Sequence, residues 1–210
     1  MDERLGLPVM LAVAGRRCVV VGGGAVGLRR ARSLVQAGAQ VALVAIELAE
    51  PAAPAGLTYE QRGFLPCDLD GALLVVIATD DPAVNDAVAQ AAAERGVLTN
   101  RADGASEGDL AFMTSHREGP LTVAVHSGGA SARAATLIRD QIAQQLDPDW
   151  ARLLTLALPL RRQIQARVPD DAKRAALLRR LTDEQAMQAL KSGGESALKR
   201  LYADIIQDSA

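Results

Sequence analysis

Apolar residues in this chain come in two arrangements, short unbroken bursts and longer stretches where they recur every three or four positions. The bursts predict buried strands and the recurring stretches predict amphipathic helices. Leu7–Val13 reads as a short strand leading to a turn at Gly15-Arg16-Arg17, and Cys18–Val21 as a buried parallel strand. From Ala25 to Ala37 the spacing of Val26, Leu34 and Val35, with Arg29, Arg30 and Arg32 between them, predicts a helix that Gly38 ends. Val41–Ala45 is a second strand, and the alanine-, proline- and glycine-rich stretch Glu50–Leu57 a surface loop. Leu73–Ala78 is a third buried strand. Pro82 suits the first turn of a helix to Arg95, Gly96 stops it, and Val97–Asn100 is a fourth strand.

Strands alternating with helices at this spacing predict βαβ units and a mostly parallel sheet. The pattern changes after about Asp103. Ala111–Met113 and Leu121–Val125 read as strands with no helix between them, and Ser131 as the N-cap of a helix to Leu146. From Trp150 the chain reads as helical, broken near Val168-Pro169 and Ser192-Gly193-Gly194. The expected class is therefore α/β, with a parallel-sheet domain over 1–112, a small αβ segment over 113–146 and a helical tail over 147–210. No internal repeat or low-complexity tract interrupts this order.

Composition narrows the function classes. With 49% apolar residues the chain can bury a core, which excludes global disorder. Aromatics are 2% of the chain and the net charge is -2, so neither a base-stacking platform nor a basic nucleic-acid surface is expected. Residues 151–210 carry 11 Lys/Arg against 7 Asp/Glu, an excess that reads first as a solvated helical face and second as a surface for an anionic ligand. Cys18 and Cys67 form neither a disulfide framework nor a metal-ligand spacing. The start, Met1-Asp2-Glu3-Arg4, lacks a signal-peptide pattern, and no apolar run approaches the ~20 residues a membrane helix needs. A cytoplasmic protein without membrane or nucleic-acid partners is expected.

The most specific chemistry is at Val19-Val20-Val21-Gly22-Gly23-Gly24-Ala25-Val26-Gly27, a strand running into G-x-G-x-x-G and then a helix. Gly22 permits a tight turn, Gly24 lets a pyrophosphate approach the backbone, and Gly27 allows close helix–strand packing. The N–H groups of Ala25, Val26 and Gly27 then face the anion at the positive end of the helix. The expected fold is Rossmann-type and the expected ligand a dinucleotide. The acidic residue that usually ends the second strand is displaced: Glu47 comes late, and the backbone of Ile46 and Glu47 is expected to contact the adenosine half. No arginine stands there for a 2′-phosphate, which favours NAD over NADP.

Beyond this turn the sequence resembles the precorrin-2 dehydrogenase / sirohydrochlorin ferrochelatase family, the N-terminal module type of siroheme synthase. The resemblance rests on V-V-G-G-G-x-V, R-R-A and A-G-A-x-V. It continues through Ala78-Thr79-Asp80-Asp81 with Asn85, Thr99-Asn100-Arg101-Ala102-Asp103, Gly119-Pro120-Leu121 and Ser127-Gly128-Gly129-Ala130-Ser131, spanning about residues 7–146. It implies NAD-dependent oxidation of precorrin-2 to sirohydrochlorin. Some members also insert ferrous iron to give siroheme, and the sequence leaves that step open. Thr79 and Asn100 would join the cofactor site. Asp103 would be the catalytic carboxylate, although alone it reads as a turn aspartate before Gly104. Ser127, Gly128, Gly129 and Arg139 would face the tetrapyrrole, although Ser-Gly-Gly alone reads as a turn and Arg139 as a solvated helix arginine. No metal cage is expected, because His116 and His126 pair with no other ligand.

The resemblance further implies a homodimer joined through 113–146, with 147–210 covering the substrate. It includes no methyltransferase segment, so uroporphyrinogen methylation is expected of another protein. Thr114 and Ala132 stand where the family usually has proline, Thr136 replaces a helix arginine, and the loop Gly104–Asp109 is longer than usual. Two other readings remain open here: a chelatase with a vestigial NAD site, and an NAD(H)-sensing regulatory module.

Overall fold

The computed structural model describes residues 6–102 and 108–207. The chain divides into two units, Met1–Phe112 and Met113–Ala210. Among the described residues of the first unit, five parallel strands form one sheet: β1 (Arg17–Val21), β2 (Gln40–Val44), β3 (Leu57–Glu60), β4 (Leu74–Ile77) and β5 (Leu98–Arg101). Their order is β3-β2-β1-β4-β5, so the chain reverses direction across the sheet between β1 and β4. Helix α1 (Ala25–Gln36) follows β1 and α2 (Pro82–Arg95) follows β4. Such a sheet leaves a crevice at the carboxyl ends of its strands where the order switches, beside Gly22 and Ala78.

Alternation along β1 explains why both faces are covered. Cys18 and Val20 point into one core with Leu28, Ala31 and Leu34 of α1. Val19 and Val21 point into the other, with Val88, Ala91 and Ala92 of α2. Burial pushes the Cys18 thiol above its ordinary range, so it behaves as a small apolar side chain. A short 3-10 turn, Pro66–Leu69, closes the second face, and its Asp68 is only 7% exposed. That carboxylate accepts from Arg62 Nη1 at 2.9 Å, Arg62 Nη2 at 2.6 Å and the Leu65 N–H at 2.8 Å. The Arg62 guanidinium holds Asp68 below the usual carboxylate range.

The second unit contains an antiparallel hairpin, β6 (Thr114–Glu118) with β7 (Leu121–Val125), followed by α3 (Ala132–Gln145). Helices α4 (Asp149–Arg167), α5 (Asp171–Arg180) and α6 (Glu184–Gln207) share a core that includes Leu153, Ile164, Leu177, Leu198 and Ile205. Tyr202 donates to the Leu181 carbonyl at 2.7 Å, and burial pushes its hydroxyl up to about 12.

The α/β class and the element order are those expected from the sequence, with four local corrections. Leu7–Val13 is not a strand. It finds no sheet edge, and Leu7, Val9 and Met10 stay exposed. The stretch read as a loop to Leu57 runs straight into β3, whose Ala45 N–H to Glu60 carbonyl bond of 3.2 Å extends its pairing with β2. Ala111–Met113 is not a strand either. Asn100 Nδ2 donates to the Leu110 carbonyl at 2.9 Å, which ties that segment beside β5, and the hairpin begins only at Thr114. Finally, the tail has an unexpected break between α5 and α6, where Asp183 Oδ1 accepts the Ala186 N–H at 2.9 Å as a cap. The break at Gly194 is where the sequence places it, with φ of 63°.

Candidate functional site

The glycine turn joins β1 to α1 at the sheet's switch point, and each glycine there has its own constraint. A Cβ on Gly22, whose φ is 117°, would lie 2.2 Å from the Ala78 carbonyl oxygen. One on Gly27 would lie 2.1 Å from the Gly22 carbonyl oxygen. Both positions are closed to any side chain because backbone already occupies the space. Gly24 differs: a Cβ there would meet no protein atom within 4 Å, and its φ of -69° suits any residue. Among the described residues nothing requires glycine at position 24, and the space above it is open to a ligand.

The helix end supports this reading. α1 begins at Gly24 with no side-chain cap and no acidic residue in its first turn, and Ala25 and Val26 are exposed. By contrast, Asp81 caps α2, its Oδ1 accepting from the Ala83 N–H at 2.9 Å. The opening N–H groups of α1 therefore keep their capacity for an anion, with the helix dipole favouring negative charge. The donors and space present fit the pyrophosphate of a dinucleotide.

Gly23, absent from the expected site, is the residue that joins the turn to the next loop. Its Cβ would fall 2.0 Å from the Glu47 carbonyl oxygen, and its own carbonyl accepts the Ala49 N–H at 2.9 Å. The glycine between Gly22 and Gly24 was the available signal, since the fingerprint itself does not require one there. Ile46 precedes this contact and is 69% exposed at the end of β2, an apolar shelf beside the turn. The Glu47 carbonyl is thus committed to packing on Gly23.

Thr79 follows β4 across the switch point. Its hydroxyl donates to Asn85 Oδ1 at 2.6 Å, and Asn85 Nδ2 donates back to the Thr79 carbonyl at 3.0 Å. This double link fixes the turn whose backbone abuts Gly22. Asn100, on β5, uses its amide to hold Leu110 as described above. Beside it, Asp109 Oδ2 accepts from the Thr99 N–H at 2.9 Å and the Thr99 hydroxyl at 2.8 Å. Spacing alone gave no sign of Asp109. Asp103 lies outside the described residues.

The remaining expected residues belong to the second unit. The Ser127 hydroxyl donates to the Ser131 carbonyl at 3.0 Å and accepts the Ser131 N–H at 3.1 Å, so it builds the turn into α3. One acceptor lone pair stays available to a ligand. Gly128 and Gly129 have φ of 63° and 83°, which glycine alone adopts readily, and both are exposed. His126 Nδ1 accepts the Gly128 N–H at 3.2 Å. Arg139 donates to Thr114 Oγ1 at 3.0 Å and pairs with Asp140, tying α3 to β6. Thr114 pairs with Val125, so this tie lies at the hairpin end from which the Ser127 turn departs.

Among the described residues, no three His, Cys, Asp or Glu side chains cluster to hold a metal ion. Among them also, no helix is long and apolar enough to cross a membrane.

A family model described as "Putative NAD(P)-binding" matches residues 9–114. The chain belongs to that family. The chain is also similar to part of several curated siroheme synthases. A siroheme synthase of Azotobacter vinelandii is 36% identical over 199 residues, covering 93% of this chain and 43% of the relative. One of Chromobacterium violaceum is 35% identical over 196 residues, covering 91% and 42%. The chain thus spans about two fifths of these relatives' length. A solved structure of SirC, a precorrin-2 dehydrogenase, shares the fold with a TM-score of 0.72 at 24% identity, covering 93% of this chain and 98% of that one.

Proposed function

We propose that this chain is an NAD-dependent precorrin-2 dehydrogenase acting in siroheme formation. The observation that carries the proposal is the open, uncapped α1 N-terminus at Gly24 on the sheet's switch point. The siroheme synthase relatives and the fold shared with a precorrin-2 dehydrogenase supply the substrate class.

Oxidation of precorrin-2 to sirohydrochlorin removes two hydrogens, one as hydride and one as a proton. The nicotinamide, when bound, supplies the hydride acceptor. The N–H groups of Ala25, Val26 and Gly27 hold the pyrophosphate, Ile46 offers its apolar surface to the adenine, and the braced Thr79 turn borders the crevice. Asp103 takes the proton, a task for which a carboxylate near the macrocycle is suited. Ser127 builds the exposed Gly128-Gly129 turn that borders the substrate, and its remaining lone pair accepts a hydrogen bond from a substrate N–H or from water. Arg139 acts there through Thr114 as a positioning residue. The sequence between Ala45 and Leu57 contains no arginine, which supports NAD over NADP. Ferrous iron, where it is inserted, is a substrate held by the macrocycle nitrogens, with Asp103 accepting the displaced protons.

The chain is proposed to work as a homodimer in the cytoplasm. Leu137 and Ile138 on α3 are 53% and 45% exposed, and Ile142 continues that apolar face. Light scattering should give twice the chain mass, and a monomer at working concentration would refute the dimer.

The enzymatic proposal is tested by anaerobic assays of wild type, Asp103→Ala and Ser127→Ala with precorrin-2 and NAD. Asp103→Ala should lower kcat at least ~100-fold, the usual worth of a general base. Ser127→Ala should act mainly on KM. Oxidation at the wild-type rate in Asp103→Ala would remove that residue from the chemistry. Adding ferrous iron to the wild-type product then reads metal insertion by the appearance of siroheme.

A further inference from the structure

Arg30 is a charged side chain that the dinucleotide turn does not use. It lies on α1 three residues after Gly27, one turn in from the anion-binding end. Its guanidinium carbon sits 4.2 Å from the centroid of the Phe112 ring. The side chain is partly buried, and it makes no hydrogen bond or ion pair with any described residue. Arg62 and Arg101, the other partly buried arginines among the described residues of this unit, donate to Asp68 and Asp86.

The contact sets the guanidinium carbon over the ring and limits where the group can swing. The in-plane N–H donors remain available, in the fork that matches a carboxylate. Phe112 is itself held by the clamp on β5, because Asp109 and Leu110 are fastened to Thr99 and Asn100 just upstream. The result is a preorganised donor pair on the flank of the helix whose first turn takes the pyrophosphate.

We infer that Arg30 binds a peripheral carboxylate of the tetrapyrrole, beside the dinucleotide and on the Phe112 flank of α1. The assignment rests on the proposed dehydrogenase activity and adds a substrate-recognition residue to it. Burial and the neighbouring Arg29 lower the Arg30 pKa, and a carboxylate in its plane would offset both effects. A phosphate of the cofactor is the other oxyanion within the same chemistry. The first-turn N–H groups already serve that group, which favours the carboxylate.

The test is steady-state kinetics with precorrin-2, paired with direct NAD titration, on wild type, Arg30→Gln, Arg30→Lys and Phe112→Leu. Arg30→Gln should raise KM for precorrin-2 at least about tenfold, the equivalent of roughly 1.4 kcal/mol, with the NAD Kd within about twofold of wild type. Arg30→Lys should recover part of that loss, and Phe112→Leu, which keeps the charge, should cost less than Arg30→Gln. An unchanged KM in Arg30→Gln would overturn the assignment. So would weakened NAD binding at constant KM, which would give the guanidinium to the cofactor. Equal losses in Arg30→Gln and Phe112→Leu would make Arg30 a mere prop for the ring. If Arg30→Gln does not fold, a wild-type KM in Arg30→Lys overturns it, because an ammonium lacks the planar fork. A wild type that fails to oxidise precorrin-2 refutes the proposed function itself, a result separate from all of these.

Discussion

At the scale of single residues, the glycine turn separates positions required by the fold from one left open. Gly27→Ala forces a Cβ to within 2.1 Å of the Gly22 carbonyl oxygen, so a loss of roughly 1–3 kcal/mol in stability is expected by denaturant unfolding. Gly24→Ala meets no atom of the described residues within 4 Å and should leave the melting temperature almost unchanged. It should nonetheless weaken NAD binding about tenfold or more, because the new methyl occupies the pyrophosphate's approach. Wild-type NAD affinity in Gly24→Ala would show that the cofactor does not lie over this turn. The glycines were legible because their spacing encodes a local backbone shape. The partners of Ser127, Asn100 and Arg139 were not, because a residue type does not reveal which groups the fold sets opposite it. Ser131, Leu110 and Thr114 take up hydrogen-bonding capacity that the sequence suggested for ligands.

Among the elements, the same contrast separates strands β1, β2 and β4 from β3. Central parallel strands are buried on both faces and appear as continuous apolar runs, so their positions were readable. β3 is an edge strand, half-buried in alternation, and short enough to merge with the loop before it. Leu7–Val13 carried the stronger apolar signal yet forms no strand, since pairing depends on an available edge as well as on composition. The Arg62–Asp68 pair anchors the turn under β1, where Arg17 Nη2 also donates to the Asp68 carbonyl at 3.1 Å. Because Asp68's folded pKa is depressed, its stabilisation is present above the unfolded carboxylate range of about 4 and lost as pH falls below it. Asp68→Asn should lower the melting temperature by roughly 3–8 °C at neutral pH and flatten its acid limb. An acid limb identical to wild type would show that other carboxylates govern that unfolding.

For the whole molecule, each unit carries its own core, and sequence reasoning anticipated the change from a sheet-based to a helical architecture. The helical core depends on residues far apart in the chain, with Leu153 of α4 and Leu198 of α6 both fully buried. Leu198→Ala should cost roughly 2–5 kcal/mol, read by calorimetry as destabilisation of the second unit. NAD binding, assigned to the first unit, should persist at temperatures where that variant still folds. Parallel loss of NAD affinity would show that the tail shapes the cofactor site. A single assay tests directly whether dinucleotide binding at the glycine turn drives a tetrapyrrole oxidation. Precorrin-2 is mixed anaerobically with the purified protein and either NAD, NADP or no cofactor, and sirohydrochlorin and reduced cofactor are followed together by absorbance. One NADH is expected for each sirohydrochlorin formed, with far less product from NADP and none without cofactor. Measurable NAD binding with no acceleration of precorrin-2 oxidation would contradict the proposed activity, and would leave the glycine turn as part of an NAD(H)-sensing module.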